Sequence, residues 1–519
     1  MPNPETNVRG PVSRVVEDPS GKGYLEVNGK PFLYHGLNNC GAQQLKGSWH
    51  NAEPFETPIG VEWLENCFEK TKAAGFRTIQ IVLKWNEIEP VREGAYDWSL
   101  VERYIDWCND YDLYLDIVWF GANTCGGARL TGYKMGWATW IPAYLQDRDK
   151  YFSHGYSEPK DEIFCAVVEG PDADYLYGCE IEAVKRLFSH LAEYDRNRRT
   201  ILFQVWNEPN AHQTWSSETA IHLARMDALA RAAKESDYVV ATRANISGEY
   251  RSVWHNPRAT GPVPTSTSDV SALPHIDFVG VDPYVSEVSA IRRMMLDAAA
   301  TRGGVKNSKI AHIAENDGAH DNLSSLAAAA LVNGGFYCTF QLNDHWIDQG
   351  IYDGSKSWYG DWRLGAIPPL KKGGERMRNL NLGLHKIGPI VAAAPKQRMA
   401  GFNLEGDAPQ ASYAAYETLD GRRIGFRCSD ASVAIAVCDG NSVYCVSDTG
   451  SAGEDAFFVL DGVPASIGSG SLDEEGNWVG SETRDVRLEG GRVLVPYRAH
   501  ECLRIEFPTR SHDFLPRIG

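Results

Sequence analysis

Two glutamates stand where apolar runs of the sequence stop. ILFQVWNEPN (201–210) begins as a buried-strand pattern and ends on Asn207, Glu208 and Pro209. HIAENDG (312–318) carries Glu315 at the end of a second such run. A proline cannot donate to a strand ladder, so the first run must end there. Two carboxyl groups facing each other at about 5–5.5 Å suit one reaction, glycoside hydrolysis with retention. One carboxylate attacks the anomeric carbon; the other, kept protonated, protonates the leaving oxygen and later activates water. Burial against Trp206 and a nearby ionised Glu315 would both raise the pKa of Glu208, which suits it to the acid/base part. A glutamate at one strand end is more often a solvated rim residue. Two of them, with an amide before the first, make the pair a stronger signal.

Such a pair needs a frame that brings distant strand ends together. From residue 32 the chain alternates apolar runs with helical periodicity. Strands are expected in 32–39, 76–85, 113–121, 200–210, 238–245, 275–285, 309–316 and 334–344. Helices are expected between them, in 61–75, 100–112, 180–195, 219–235, 288–304 and 323–335. The strands are continuous Val, Ile and Leu runs, as parallel strands buried on both faces should be. Eight strands with intervening helices predict an α/β protein with a (β/α)8 barrel. Glu208 then ends the fourth strand and Glu315 the seventh, on opposite sides of the barrel mouth.

The other polar strand ends share that mouth. They are Asn38 and Asn39, Trp85 with Glu87, Trp119, Asn207, Asn245, Asp282 with Tyr284, and Asn343, Asp344, His345 and Trp346. Carboxylates, amides and aromatic rings are the inventory of a sugar site. Trp85 and Trp119 read equally as sugar-stacking surfaces or as barrel core. Asn38 reads as a hydroxyl ligand or a cap, Asp282 as a pocket hydrogen-bonding group, and His345 as a substrate contact or a loop brace. Glu89 reads as structural, and Arg77, at a strand start, as an ion-pair residue. HxxxH and HExxH spacings are absent, as are GxGxxG and GxxxxGK[ST], so neither a metal nor a cofactor is expected.

The motifs carry a resemblance. An apolar strand ending in WNEP is similar to the acid/base signature of the large clan of retaining glycosidases built on (β/α)8 barrels, clan A. WNEIEPVREGAYDWS (85–99) resembles the W-x-x-x-E-P-x-x-G-x-Y-D-[WF] stretch of its β-galactosidase families 42 and 35. The resemblance covers roughly residues 25–385. It implies that Glu208 is the acid/base, Glu315 the nucleophile and Asn207 a ligand of the sugar 2-hydroxyl. It further implies that Tyr284, in VDPY, orients the nucleophile and that Trp346 forms a sugar platform. The implied activity is an exo-acting β-galactosidase-like one. Other sugars (glucoside, xyloside, arabinoside, fucoside), endo-cleavage and transglycosylation stay open, as does a carbohydrate-binding protein without turnover.

The rest of the chain bounds this reading. Its 519 residues exceed one core. YLEVNGKPFLYHG (24–36) reads as a hairpin around Asn28-Gly29. Residues 121–180, rich in aromatic side chains and glycine, read as an insertion walling the site; with the loop 345–362 they would close a pocket. Barrel and insertion account for 1–385, and the short alternating strands of 386–519 predict an all-β sandwich. Within it, 466–478 reads as an exposed turn. The net charge of −17 disfavours nucleic acid and anionic membrane as partners and suits a neutral carbohydrate; a homo-oligomer is possible. No run approaches the ~20 apolar residues of a membrane helix. The start resembles no signal peptide, so a cytoplasmic location is expected. The eleven cysteines include no CxxC pair and read as buried thiols, with Cys125 a possible pocket residue.

Overall fold

The structure, a computed structural model, describes residues 10–508 except 20, 40–57, 123–127, 131–139, 152–153, 158–163, 168–169, 210–218, 251–264, 343–349, 354–367, 405–412, 451–455 and 483. Eight parallel strands close into a barrel. In order they are His35–Asn39, Thr78–Lys84, Tyr114–Phe120, Thr200–Gln204, Ala241–Ser247, Phe278–Asp282, His312–Asp317 and Phe336–Phe340. The eighth pairs with the first, Tyr337 opposite His35. Each strand falls on the apolar run expected for it, with Ala241–Ser247 and His312–Asp317 running two residues and one residue past the expected ends. The helix expected from residue 180 starts earlier, spanning Ala173–Tyr194 and burying Leu176, Ala183, Leu187 and Leu191. Its apolar stripe continues upstream at helical spacing, and the turn Gly170–Asp172 starts it.

The barrel interior is polar across its middle. Asp116 of the third strand accepts from Tyr34 Oη at 2.6 Å, from Arg243 Nη2 at 2.7 Å and from Gln80 Nε2 at 3.3 Å. Asn38 donates to Gln80, and Arg243 also donates to Gln204. This belt links the first five strands. Beneath it Tyr34, His312, Phe278 and Phe336 pack edge to face. Gly280 is required there, because a Cβ would lie 2.6 Å from Ala314 Cβ and 2.7 Å from the His312 ring.

The expected hairpin forms, with Asn28 and Gly29 at φ of 50° and 79° as a type I′ turn demands. A further strand, Ser13–Glu17, joins it. Ser13 Oγ donates to Ile201 O at 2.5 Å and accepts from Ala241 N at 2.8 Å, so this sheet closes the barrel floor. In the insertion, Ala128–Leu130, His154–Ser157 and Phe164–Val167 form a three-stranded sheet.

The C-terminal part is two antiparallel sheets of six and five strands. They enclose a core that includes Phe402, Phe426, Phe458, Tyr497 and Ile505. The segment 466–478 is corrected: it is mostly strand. Ser466–Leu472 and Trp478–Glu482 pair as a hairpin, and only the residues between them turn. Small alternating Gly and Ser residues hide the strand period there. Helices Leu323–Val332 and Lys372–Leu384 pack on the larger sheet through Leu331, Leu380 and Leu384 against Ile435, Val437 and Val446. Buried Asp448 accepts from Ser324 at 2.6 Å, Arg376 Nε at 2.7 Å and Val433 N at 2.8 Å. The eight described cysteines that line these cores are buried free thiols; Cys125 lies outside the described residues. No described helix is long and apolar enough to cross a membrane.

Arg243 and Asp116 are both fully buried. Arg243→Met strands the Asp116 charge and is expected to cost about 3–5 kcal/mol of stability in urea denaturation. A loss below about 1 kcal/mol would show that the belt does not depend on this pair.

Candidate active site

The fourth strand ends at Gln204, and the chain turns outward through Trp206, Asn207 and Glu208. Trp206 is buried, edge-on to His222 at 5.9 Å. Glu208 is half-buried and sits at φ +45°, a left-handed conformation that a glutamate adopts only when its surroundings impose it. Asn245, near the end of the fifth strand, imposes it. Its Oδ1 accepts from Glu208 N at 2.9 Å and from Gln204 Nε2 at 2.8 Å. Its Nδ2 donates to Asn207 Oδ1 at 2.8 Å and to Asp282 Oδ2 at 2.6 Å. One buried amide thus ties the fourth-strand turn to the end of the sixth strand.

Glu315 lies two residues before the end of the seventh strand and is 8% exposed. Tyr284 Oη donates to its Oε2 at 2.6 Å. Tyr284 also has a left-handed φ, +47°. Asn316 holds that turn: its Oδ1 accepts from Val285 N at 2.7 Å, and its Nδ2 donates to Val285 O at 3.0 Å. The Tyr284 ring meets the Phe340 ring edge to face at 5.6 Å.

Glu208, Asp282 and Glu315 lie close enough for their charges to act on one another. Burial, then the Glu208 charge, push the Glu315 carboxyl up to about 8, against the pull of the Tyr284 hydroxyl and Arg243. Burial, then the charges of Glu315 and Glu208, hold Asp282 well above the usual carboxylate range. Three such groups take up and release protons as a set. When the set releases a proton, the hydrogen bond that the Tyr284 hydroxyl donates favours Glu315 as the group that carries the negative charge.

The structure therefore brings Asn207, Glu208, Asp282, Tyr284 and Glu315 together at the C-terminal mouth of the barrel. Three expected contacts are corrected. Trp85 and Trp119 are fully buried, so neither face is open to a sugar. Their indole N–H groups donate to Glu89 at 2.8 Å and to Glu180 at 2.9 Å. Asn38 is buried in the belt with its amide on Gln80. Glu89 also accepts from Gly94 N at 2.6 Å, so the 85–99 stretch braces itself. Arg77 pairs with Asp112 at 3.3 Å. His345 and Trp346 lie outside the described residues. Asn245 and Phe340 join the site in addition. Position at a strand end signalled Asn245, and nothing in the residue type separated it from the other amides.

A family model described as a domain of unknown function, DUF4978, matches residues 222–351. No curated protein matches the sequence. Similar solved structures include the exo-β-1,4-mannosidase Op5Man5 from Opitutaceae bacterium strain TAV5. It is 15% identical with a TM-score of 0.43, over 73% of this chain and 64% of that one. The endo-1,4-β-mannanase from Rhizomucor miehei is 12% identical with a TM-score of 0.42, over 70% and 99%. A GH30 endoxylanase from Clostridium papyrosolvens C71 is 11% identical with a TM-score of 0.41, over 92% and 96%. This chain thus spans less than two thirds of the mannosidase.

Glu315 is raised from 4.5 to about 8. Between these values the folded protein holds a proton that the unfolded chain has released. Its contribution to stability is full below about 4.5 and is lost as pH rises through about 8. Glu315→Gln removes this titration. Its melting temperature relative to the unsubstituted protein should climb across that window and level off above it. A difference that does not change with pH would contradict the burial of this charge.

Proposed function

We propose that this chain is a retaining glycoside hydrolase acting on β-linked glycosides, with Glu208 as acid/base and Glu315 as nucleophile. The observation that carries the reading is Glu315, buried under the Tyr284 hydroxyl and electrostatically coupled to Glu208 across the mouth of a closed barrel. In the first step a Glu315 oxygen bonds to the anomeric carbon. The bond to the leaving oxygen breaks, and that oxygen takes the Glu208 proton. The Tyr284 hydrogen bond holds the attacking carboxylate in line, a positioning effect of the kind that lowers the barrier without new chemistry. In the second step Glu208 takes a proton from water, the hydroxide oxygen bonds to the same carbon, and Glu315 is released as carboxylate. Two inversions at one carbon leave its configuration unchanged.

Asn207 supports the same reading. Its Oδ1 accepts from both Gln204 and Asn245, which fixes the amide with Nδ2 turned to the other side. That orientation suits a donor to a hydroxyl of the bound sugar. Phe340 and Tyr284 supply the aromatic edge of the cleft. A β-galactoside is the first substrate to test, on the strength of the 85–99 resemblance. Because that stretch is occupied with framework bonds, glucosides, xylosides, arabinosides, fucosides and mannosides belong in the same panel.

Nitrophenyl glycosides differing in sugar, anomer and ring size should show turnover for at least one β-glycoside. Nuclear magnetic resonance of the first-formed sugar should show the β anomer. Glu315→Gln and Glu208→Gln should each lower kcat on the order of 10³-fold or more. A dinitrophenyl leaving group should restore much of the first step in the Glu208 variant. An inverted product, or full activity of Glu208→Gln on an unactivated glycoside, would overturn the assignment.

A further inference from the structure

Asp282 ends the sixth barrel strand in the wall of the site and is 2% exposed. Its Oδ2 accepts a hydrogen bond from Asn245 at 2.6 Å. Its Oδ1 meets no donor among the described residues. Among the described residues no ion pair involves it, and Arg243, whose charge acts on it, is committed to Asp116 and Gln204. From the end of the fourth strand it faces Glu208, within hydrogen-bonding reach, and from the seventh it faces Glu315. The seventh-strand His312 is buried and stays neutral under burial and the Arg243 charge. Tyr284, two residues along, donates to Glu315.

A carboxylate in this position would be buried beside two other acids, with Asn245 as its donor. That arrangement costs several kcal/mol, whereas the neutral acid is cheap to bury and gains an O–H. Burial and both neighbouring charges favour the protonated form. Asn245 fixes the direction. It binds the Glu208 N–H with one end and Asp282 Oδ2 with the other, so the two carboxyl groups are set by one rigid amide.

We propose that Asp282 stays a neutral carboxylic acid through the reaction and donates a hydrogen bond to the Glu208 carboxylate left after the first proton transfer. It is a positioning residue. Its O–H bond does not break, and no proton passes through it. The donated bond keeps Glu208 ionised and aimed while the glycosyl ester waits for water. A carboxylic acid held neutral so that it can donate is a known use of a buried aspartate. The inference rests on the acid/base assignment of Glu208.

The test uses a dinitrophenyl glycoside, so that breakdown of the ester limits kcat and the acid limb of its pH profile reports ionisation of Glu208. Asp282→Asn keeps a neutral donor: the limb should stay in place, with kcat lowered about tenfold at most. Asp282→Ala loses the donor: the limb should move up by about one pH unit and kcat should fall about 100-fold. Were Asp282 ionised, both substitutions would remove a negative charge beside Glu208 and move the limb down, which would overturn the inference. Asp282→Asn alone discriminates if the alanine variant fails to fold. Loss of one protonated-carboxyl carbonyl band in the difference spectrum between the unsubstituted protein and Asp282→Asn near neutral pH is the independent readout. Trapping with a 2-fluoro glycosyl fluoride separates the two failures. If Glu315 is labelled but the limb moves down, only this inference falls; if Glu315 is not labelled, the double-displacement reading falls with it.

Discussion

A single buried guanidinium is the reference for the carboxyl-rich barrel interior. Arg243 ion-pairs with Asp116 at 2.7 Å, and its charge reaches Asp282 and Glu315 above. A barrel that turns so many acids and amides inward needs an internal counter-charge, because water does not screen charges there. Arg243 is committed below, to Asp116 and Gln204, and so steadies the site without entering it. The acids above it are left short of one another's tolerance. The set then holds protons that solvated carboxyls would have lost near neutral pH.

Strain and hydrogen bonding work together at the mouth. Glu208 and Tyr284 both occupy the left-handed region, which is unfavourable for residues with a Cβ. Each is held by an asparagine from a neighbouring strand end, Asn245 in one case and Asn316 in the other. A rigid amide with two donors and two acceptor lone pairs can satisfy several strands at once. These amides thus act as clamps, and the carboxyls they position point into a common space. Sites made from rigid strand ends hold their geometry better than sites made from loops.

The C-terminal sheets complete a different surface. Their larger sheet covers two barrel helices, and buried Asp448 receives bonds from both of them, through Ser324 and Arg376. An apolar interface of Leu, Val and Ile surrounds that polar centre. The helices it contacts follow the seventh strand, which carries Glu315, and the eighth strand.

Much was legible in the chain itself. Strand-length apolar runs alternating with helical periods specify eight parallel strands, since only burial on both faces rewards such runs. Strand ends then place Glu208, Glu315, Asn207, Asp282 and Tyr284 at one mouth. A hairpin follows from Asn28-Gly29 because few residue pairs accept positive φ twice. Tertiary structure decided which way each polar or aromatic side chain turned. Trp85 and Trp119 look like sugar platforms until packing shows Glu89 and Glu180 waiting for their indole N–H groups. Arg243, inside an ordinary strand pattern, becomes an interior ion-pair partner only because the barrel brings Asp116, two strands away, to 2.7 Å from it. Asn245 is one amide among several until closure of the barrel puts Asn207, Glu208 and Asp282 around it. The physical reason is common to all three: hydrophobic period is local in sequence, while hydrogen-bond partners are chosen across strands by stagger and closure.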